Sequence, residues 1–165
     1  MAIDDQLMLA KDHASNADGT LPSKGWKVLI VDDEEEIHVV TRLALHDFSF
    51  GGRHLEFMSA YSASEAKELI RDNPDIAIIL LDVVMETDNA GLDVAQYIRQ
   101  EVGNHFVRII LRTGQPGLAP ERRVLKVYDI NDYRAKTELT QDRLFSVIYT
   151  ALSSYRDLIS LARSR

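Results

Sequence analysis

The sequence contains no cysteine, which excludes disulfide bonds, thiolate metal sites and cysteine nucleophiles. No apolar run in it reaches the roughly 18 residues that a membrane-spanning helix needs. The segment from Met1 to Ala10 carries acidic side chains and no basic ones, whereas a secretory signal begins with basic residues. We therefore expect a cytoplasmic protein that has no membrane partner.

Positive charge, histidine clusters and glycine-rich loops are also scarce. Among the 165 residues, 19 lysines and arginines stand against 26 aspartates and glutamates, for a formal net charge of -7 at pH 7. Direct binding of nucleic acid is not expected, because nonspecific binding needs basic residues that contact phosphates. The five histidines share no metal-ligand spacing, and we expect His38 and His46 to lie exposed on or near the first helix. No glycine-rich loop follows the first apolar run, which argues against a nucleotide-binding fold.

Short apolar runs alternate with segments of helical spacing along most of the chain. Each run is short, continuous and rich in aliphatic residues, which is typical of a buried strand. Strictly alternating strands and helices predict an α/β fold, in which a parallel sheet is covered by helices on both faces. The predicted strands are residues 27–31, 55–60, 76–81, 107–111 and 129–133, and the last predicted helix runs from 140 to 162.

Polar side chains stand where four of these strands end. Asp32 and Asp33 follow the first strand, Asp82 the third, Thr113 the fourth and Lys136 the fifth. Ligands bind outside the carboxyl ends of parallel strands, so these groups should converge in one crevice. Crowded carboxylates favour Mg²⁺, an aspartate can form an acyl phosphate, and ammonium and hydroxyl groups bind phosphoryl oxygens. A lone strand-end aspartate is usually a cap, but this combination predicts phosphoryl transfer.

Between residues 26 and 155 the chain resembles the CheY-like receiver domain of two-component response regulators. The acidic pair is Asp32-Asp33 in the run Val-Leu-Ile-Val-Asp-Asp-Glu, and the phosphoacceptor matches Asp82 in Leu-Leu-Asp-Val-Val-Met. The switch aromatic matches Tyr133, and the family's lysine matches Lys136, three residues later. The resemblance implies a flavodoxin-like, doubly wound sheet of five parallel strands in the order 2-1-3-4-5, with an extended C-terminal helix.

The same resemblance implies a set of metal ligands. Mg²⁺ would be bound by Asp33, by Asp82 and by the backbone carbonyl of Val84, and Asp32 would act through water. Mn²⁺ or Ca²⁺ can substitute for Mg²⁺ in such sites. Val84 and Gln115 occupy positions that tune hydrolysis of the acyl phosphate in this family.

Phosphoryl transfer would then come from a histidine kinase or a phosphotransfer protein. Asp82, Lys136 and Thr113 are the predicted catalytic residues, and Asp82 is the phosphoacceptor. Thr113 and Tyr133 are the predicted switch residues, which move when Asp82 is phosphorylated and change a partner-binding face. A chain of this kind catalyses only its own phosphorylation and dephosphorylation.

Two features depart from the pattern of the family. Receivers usually have Lys-Pro with a cis peptide bond, whereas this chain has Lys136-Thr137. A cis bond before a residue other than proline costs roughly 2.5–4 kcal/mol, so the geometry of this bond is left open. The loop that follows Asp82 lacks the usual proline and is one residue longer before Gly91. Neither departure removes a required group.

The predicted organisation is a flexible tail at 1–24, a receiver domain at 25–154 and a helical extension at 155–165 toward an effector domain. Residues 82–89 and 109–140 resemble receivers that precede HD-type phosphodiesterase or diguanylate cyclase modules. Charges on the fourth helix, the fifth strand and the fifth helix form either a homodimer contact or a solvated face. The charged residues are Arg122, Arg123, Lys126, Asp129, Asp132, Asp142 and Arg143.

Two alternative functions differ in the groups that they need. A haloacid-dehalogenase-like aspartyl phosphatase needs a second acid two residues after its nucleophile, and that position is Val84. A phosphorylation-independent binding module would not need the complete set of strand-end groups.

Overall fold

A computed structural model describes residues 24–114 and 121–164 of the chain. Lys24 is therefore the one residue of the predicted tail that it describes, and Gln115 lies outside the described residues. No helix in the described ranges is long and apolar enough to cross a membrane. The strands and α-helices are β1 (Trp26–Val31), α1 (Glu35–Ala44), β2 (Ser49–Phe50), β3 (Arg53–Ala60), α2 (Ala63–Asp72), β4 (Ile76–Asp82), α3 (Ala90–Gln96), β5 (Arg108–Thr113), α4 (Glu121–Val127), β6 (Asp132–Ala135) and α5 (Gln141–Arg163). A π-helical segment (Tyr97–Val102) continues α3, and a short 3-10 helix (Lys136–Glu138) follows β6.

Six strands form one sheet in the order β2-β3-β1-β4-β5-β6. β1 pairs in parallel with β3 and β4, and β5 pairs in parallel with β4 and β6. The five long strands thus confirm the predicted flavodoxin-like order, and α5 is the predicted long C-terminal helix. Adjacent strand ends meet at one edge of the sheet because the strands are parallel.

The described residues contain one short strand, β2, in addition to the five parallel strands that we predicted. β2 pairs antiparallel with β3, and it lies outside the five predicted strands. Gly51 and Gly52 join the two strands with φ values of 58° and 75°. Two consecutive residues of positive φ are what a tight type I′ hairpin turn requires, so the Gly-Gly pair was a hairpin signal.

Helices cover both faces of the sheet, and alternate residues of β1 show the division. Leu29 and Val31 lie in a core with residues of α2, α3 and α4, whereas Val28 and Ile30 lie in a core with residues of α5. All seven residues of β4 are buried, because a central strand is covered on both sides.

The fifth parallel strand begins three residues later than predicted. Asp129 has a φ of 50°, so the chain turns there instead of extending. The side chain of Asn131 then accepts hydrogen bonds from the amide of Ile109 at 2.7 Å and from Arg99 at 2.9 Å. These contacts end the turn and place β6 beside the end of β5.

Candidate functional site

Three carboxylates meet at the carboxyl edge of the sheet. Asp32 follows β1 and Asp82 ends the adjacent strand β4, so the parallel register brings the two side by side. Oxygens of Asp32, Asp33 and Asp82 all lie within 4.8 Å of one another. Asp32 and Asp82 are buried, whereas Asp33 is exposed. Asp33 is therefore the solvent-exposed member of the cluster.

The ammonium group of Lys136 lies against this cluster. Its Nζ is 2.9 Å from Oδ2 of Asp32, 3.3 Å from Oδ2 of Asp82 and 3.6 Å from Oε1 of Glu34. Burial alone would lower the pKa of Lys136, but its contacts with Asp32 and Asp82 raise the pKa overall. None of the peptide bonds of the described residues is cis, so the Lys136-Thr137 bond is trans. Lys136 reaches the cluster with this trans bond.

The pKa of Asp82 is raised from 3.8 to about 6, and burial is the largest cause. The negative charge of Asp32 also raises this pKa, whereas Lys136 and the amide of Val84, 3.4 Å from Oδ1, lower it. The ionised cluster is thus short of positive charge even with Lys136 present.

The donor set fits a hard divalent cation. It consists of oxygen atoms only, and Mg²⁺ binds through one or two carboxylates together with water and phosphate oxygens. Oδ1 of Asp32 accepts a hydrogen bond from the amide of Glu34 at 2.9 Å. Oδ2 of Asp32 is buried and accepts no well-oriented hydrogen bond in the described part of the chain, although Lys136 is close. A buried carboxylate oxygen in this position suits a cation or its water shell.

The remaining predicted residues surround the cluster at different depths. Thr113 is buried at the end of β5, beside Ala135 in the register of β6. Tyr133 is half-buried on β6 and packs against the core beneath α2, α3 and α4. Val84 is half-buried next to Asp82, and the metal-binding role of its carbonyl stays a prediction. The catalytic and switch roles of Thr113 and Tyr133 also stay predictions.

Hydrogen bonds hold the longer loop after Asp82 at its middle and across its two ends. The two carboxylate oxygens of Glu86 accept hydrogen bonds from the amide of Ala63 at 3.1 Å, at the start of α2. The amide of Gly91 donates to the carbonyl of Val83 at 2.9 Å. A Cβ atom at Gly91 would lie 2.0 Å from the carbonyl oxygen of Asp82, so only glycine permits this approach of α3 to β4.

Comparisons with known proteins show which sequences and folds the chain resembles. The chain matches no protein-family model. It is 53% identical over 133 residues to the 3'3'-cGAMP-specific phosphodiesterase 2 of Vibrio cholerae serotype O1, a match that covers 81% of this chain and 26% of that protein. The chain thus spans about a quarter of the length of the curated relative it matches.

Solved structures of receiver domains superpose on most of the chain. The receiver domain of a putative LuxO repressor from Vibrio parahaemolyticus has a TM-score of 0.65 at 22% identity and covers 82% of this chain and 97% of its own. The receiver domain of an HD domain-containing protein from Pseudomonas fluorescens Pf-5 has a TM-score of 0.66 at 20% identity, covering 81% and 98%. The chain has the fold of a response-regulator receiver domain.

His38 is a residue of this receiver fold that we predicted wrongly to be exposed. It is fully buried, with Nε2 2.8 Å from the carbonyl oxygen of Asp32 and Nδ1 2.9 Å from the hydroxyl of Ser59. Its ring stacks on Tyr61 at 4.3 Å. The carbonyl at the end of β1 needs a donor, and His38 supplies it. The sequence signal for the burial of His38 was its helical spacing, because His38 lies on the same face of α1 as Thr41, three residues later.

Arg112 was also missed. It is the next-to-last residue of β5 and is 5% exposed. Its Nη1 donates to the hydroxyl of Thr41 on α1 at 2.9 Å. A charged residue directly after the apolar run Ile-Ile-Leu was the available signal, because arginine is seldom buried without a partner.

Proposed function

We propose that this domain is the phosphoacceptor receiver of a response regulator and accepts a phosphoryl group on Asp82 from a histidine kinase or a phosphotransfer protein. One arrangement carries the proposal: oxygens of Asp32, Asp33 and Asp82 lie within 4.8 Å of one another, and Nζ of Lys136 lies 3.3 Å from Asp82. This arrangement places a carboxylate nucleophile, a cation site and an ammonium group close enough to act together in phosphoryl transfer.

The residues divide the work of transfer among them. An Asp82 carboxylate oxygen forms a bond to phosphorus while the bond from phosphorus to the donor histidine nitrogen breaks, and the nitrogen keeps the electron pair. The ammonium of Lys136 neutralises charge on a non-bridging phosphoryl oxygen. Asp33, Asp82 and the Val84 carbonyl would hold Mg²⁺, with Asp32 acting through water. When bound, this ion neutralises charge on the carboxylates and on the phosphoryl oxygens.

Thr113 and Tyr133 transmit the phosphorylation of Asp82 to the partner-binding face. The hydroxyl of Thr113 turns toward the new phosphoryl oxygens, and the ring of Tyr133 follows into the space beside β6. The output face formed by α4, β6 and α5 thereby shifts its population between two pre-existing states. A homodimer through this face stays a prediction, and on β6 Arg134 already pairs with Asp132 of the same chain at 3.1 Å.

The similarity to a 3'3'-cGAMP-specific phosphodiesterase supports a proposal about output. The domain would control an effector of that kind within a longer protein, since the matched region is 26% of the relative. The domain itself would catalyse only its own phosphorylation and dephosphorylation.

The test uses acetyl phosphate and Mg²⁺ with intact-protein mass spectrometry. The parent protein should gain one phosphoryl group, and Asp82→Asn should gain none. Asp88→Asn is the matched control, because Asp88 is an exposed carboxylate in the loop after β4. Equal phosphorylation of Asp82→Asn and the parent would refute the assignment of Asp82.

A further inference from the structure

A second cation lies behind the carboxylate cluster. Arg112 stands directly opposite Asp82 in the register of β4 and β5. Neighbouring strands are about 4.8 Å apart, so the backbone places these two residues in adjacent positions at the same sheet edge. The side chain of Arg112 extends to the face covered by α1, where it contacts Thr41.

The guanidinium of Arg112 is not neutralised by any carboxylate in direct contact within the described part of the chain. Nη1 donates to Thr41, whose own hydroxyl donates to the carbonyl of Ile37 at 2.6 Å. Nη2 is buried and makes no hydrogen bond to the described residues. Arg112 lines a cavity of about 380 Å³ together with Lys136 and the apolar side chains of Ile37, Leu139 and Leu144.

A buried charge in such surroundings is stable only if opposite charge is near. Burial lowers the pKa of Arg112, and the carboxylates of Asp32 and Asp82 raise it. An arginine stays protonated in these conditions. The carboxylates of the phosphoacceptor site therefore supply the opposite charge, and the interaction acts in both directions.

We propose that Arg112 is a fixed counter-charge of the phosphoacceptor site, which weakens Mg²⁺ binding by the unphosphorylated domain and favours the added negative charge of the phosphoryl group. The proposal rests on the function proposed for Asp82. Three carboxylates then face two built-in cations, Lys136 and Arg112. A fixed positive charge repels an incoming cation and attracts an incoming anion, so its removal should change the two affinities in opposite directions.

Arg112→Met tests this role, because methionine fills similar space without charge and leaves Thr41 bonded to Ile37. No carboxylate of the described residues contacts Arg112 directly, so the substitution breaks no contact ion pair, which is the change that destabilises a buried site most strongly. Arg108→Met is the matched control. Arg108 lies on the same strand and the same face, four residues earlier, so it is about 13 Å farther from the site. That distance exceeds the Debye length of about 8 Å at physiological salt.

Two affinities are measured by NMR titration of backbone amides: Mg²⁺ alone, and beryllofluoride at saturating Mg²⁺. In Arg112→Met we expect Mg²⁺ to bind about tenfold more tightly and beryllofluoride about tenfold more weakly, a factor that corresponds to about 1.4 kcal/mol of electrostatic interaction. Arg112→Lys and Arg108→Met should stay within about threefold of the parent, since the first keeps the charge and the second removes a screened one.

Opposite signs separate an electrostatic role from a structural one, because a damaged site would bind both ligands more weakly. Unchanged or weaker Mg²⁺ binding by a folded Arg112→Met would overturn the proposal, and so would an Arg112→Lys that behaves like Arg112→Met. Arg112→Gln keeps a hydrogen-bond donor toward Thr41 and replaces Arg112→Met if the methionine variant does not unfold cooperatively. The same two changes in affinity are expected for it. The Mg²⁺ titration contains no phosphodonor, so its outcome is independent of whether Asp82 accepts phosphate.

Discussion

Replacing Asp82 with asparagine is expected to stabilise the metal-free protein at pH 8, although it removes the proposed phosphoacceptor. Asp82 is buried beside Asp32, and its pKa is raised from 3.8 to about 6 in the folded protein. A carboxyl group whose pKa rises on folding favours the folded state while it is protonated. That contribution is fully present below pH 3.8 and is lost as the pH rises through about 6.

The size of the effect follows from the shift. Each pKa unit corresponds to about 1.4 kcal/mol, so a shift of roughly two units sets a free-energy cost near 3 kcal/mol for the ionised group. Asparagine is neutral at every pH and resembles the protonated carboxyl in shape. We expect Asp82→Asn to raise the free energy of unfolding by about 2–3 kcal/mol at pH 8 and to have almost no effect at pH 4.

Urea denaturation with EDTA, followed by circular dichroism between pH 4 and pH 8, measures this difference. Comparing variant with parent at each pH cancels the titration of the carboxylates that do not interact with Asp82. Asp88→Asn should show no such pH-dependent gain, because Asp88 is exposed. An Asp82→Asn protein that is less stable than the parent at pH 8, or equally stabilised at pH 4, would refute the argument from burial and charge crowding.

Three further substitutions test other contacts of the site. His38→Leu should lower the free energy of unfolding by about 1–3 kcal/mol, because the carbonyl of Asp32 loses its hydrogen-bond donor. His46 is exposed, so the control His46→Leu should change the free energy of unfolding by less than about 0.5 kcal/mol in the same urea titration. Gly91→Ala should lower the free energy of unfolding by about 1–3 kcal/mol, because the added Cβ would lie 2.0 Å from the carbonyl oxygen of Asp82. The nearest contact of a Cβ at Gly114 would be at 3.7 Å, so the control Gly114→Ala should keep the parent's stability when both are measured by thermal unfolding. Lys136→Met should slow phosphorylation by acetyl phosphate about a hundredfold while the fold is retained, and an unchanged rate by mass spectrometry would contradict the role of its ammonium.

The sequence was informative where apolar runs end abruptly in polar residues. Strand β4 consists of six consecutive apolar residues followed by Asp82, so both the strand and the polar group at its end were predictable from the sequence. The start of β6 was not, since it depends on Asn131, which contacts Arg99 from a segment 32 residues earlier in the chain. Contacts at such distances leave no period in the sequence.

The inner face of helix α1 contacts the site at two places, which lie about one helical turn apart. His38 bonds the carbonyl of Asp32, and Thr41 bonds Arg112 opposite Asp82. Its outer face leaves Val40 and Leu43 exposed by 55% and 66%. A helix fastened by two buried polar contacts cannot slide without breaking one of them, at a cost of about 1–3 kcal/mol for the group left unpaired. A phosphodonor that docks on the outer face would therefore meet a helix whose position is set by the charge-bearing residues behind it.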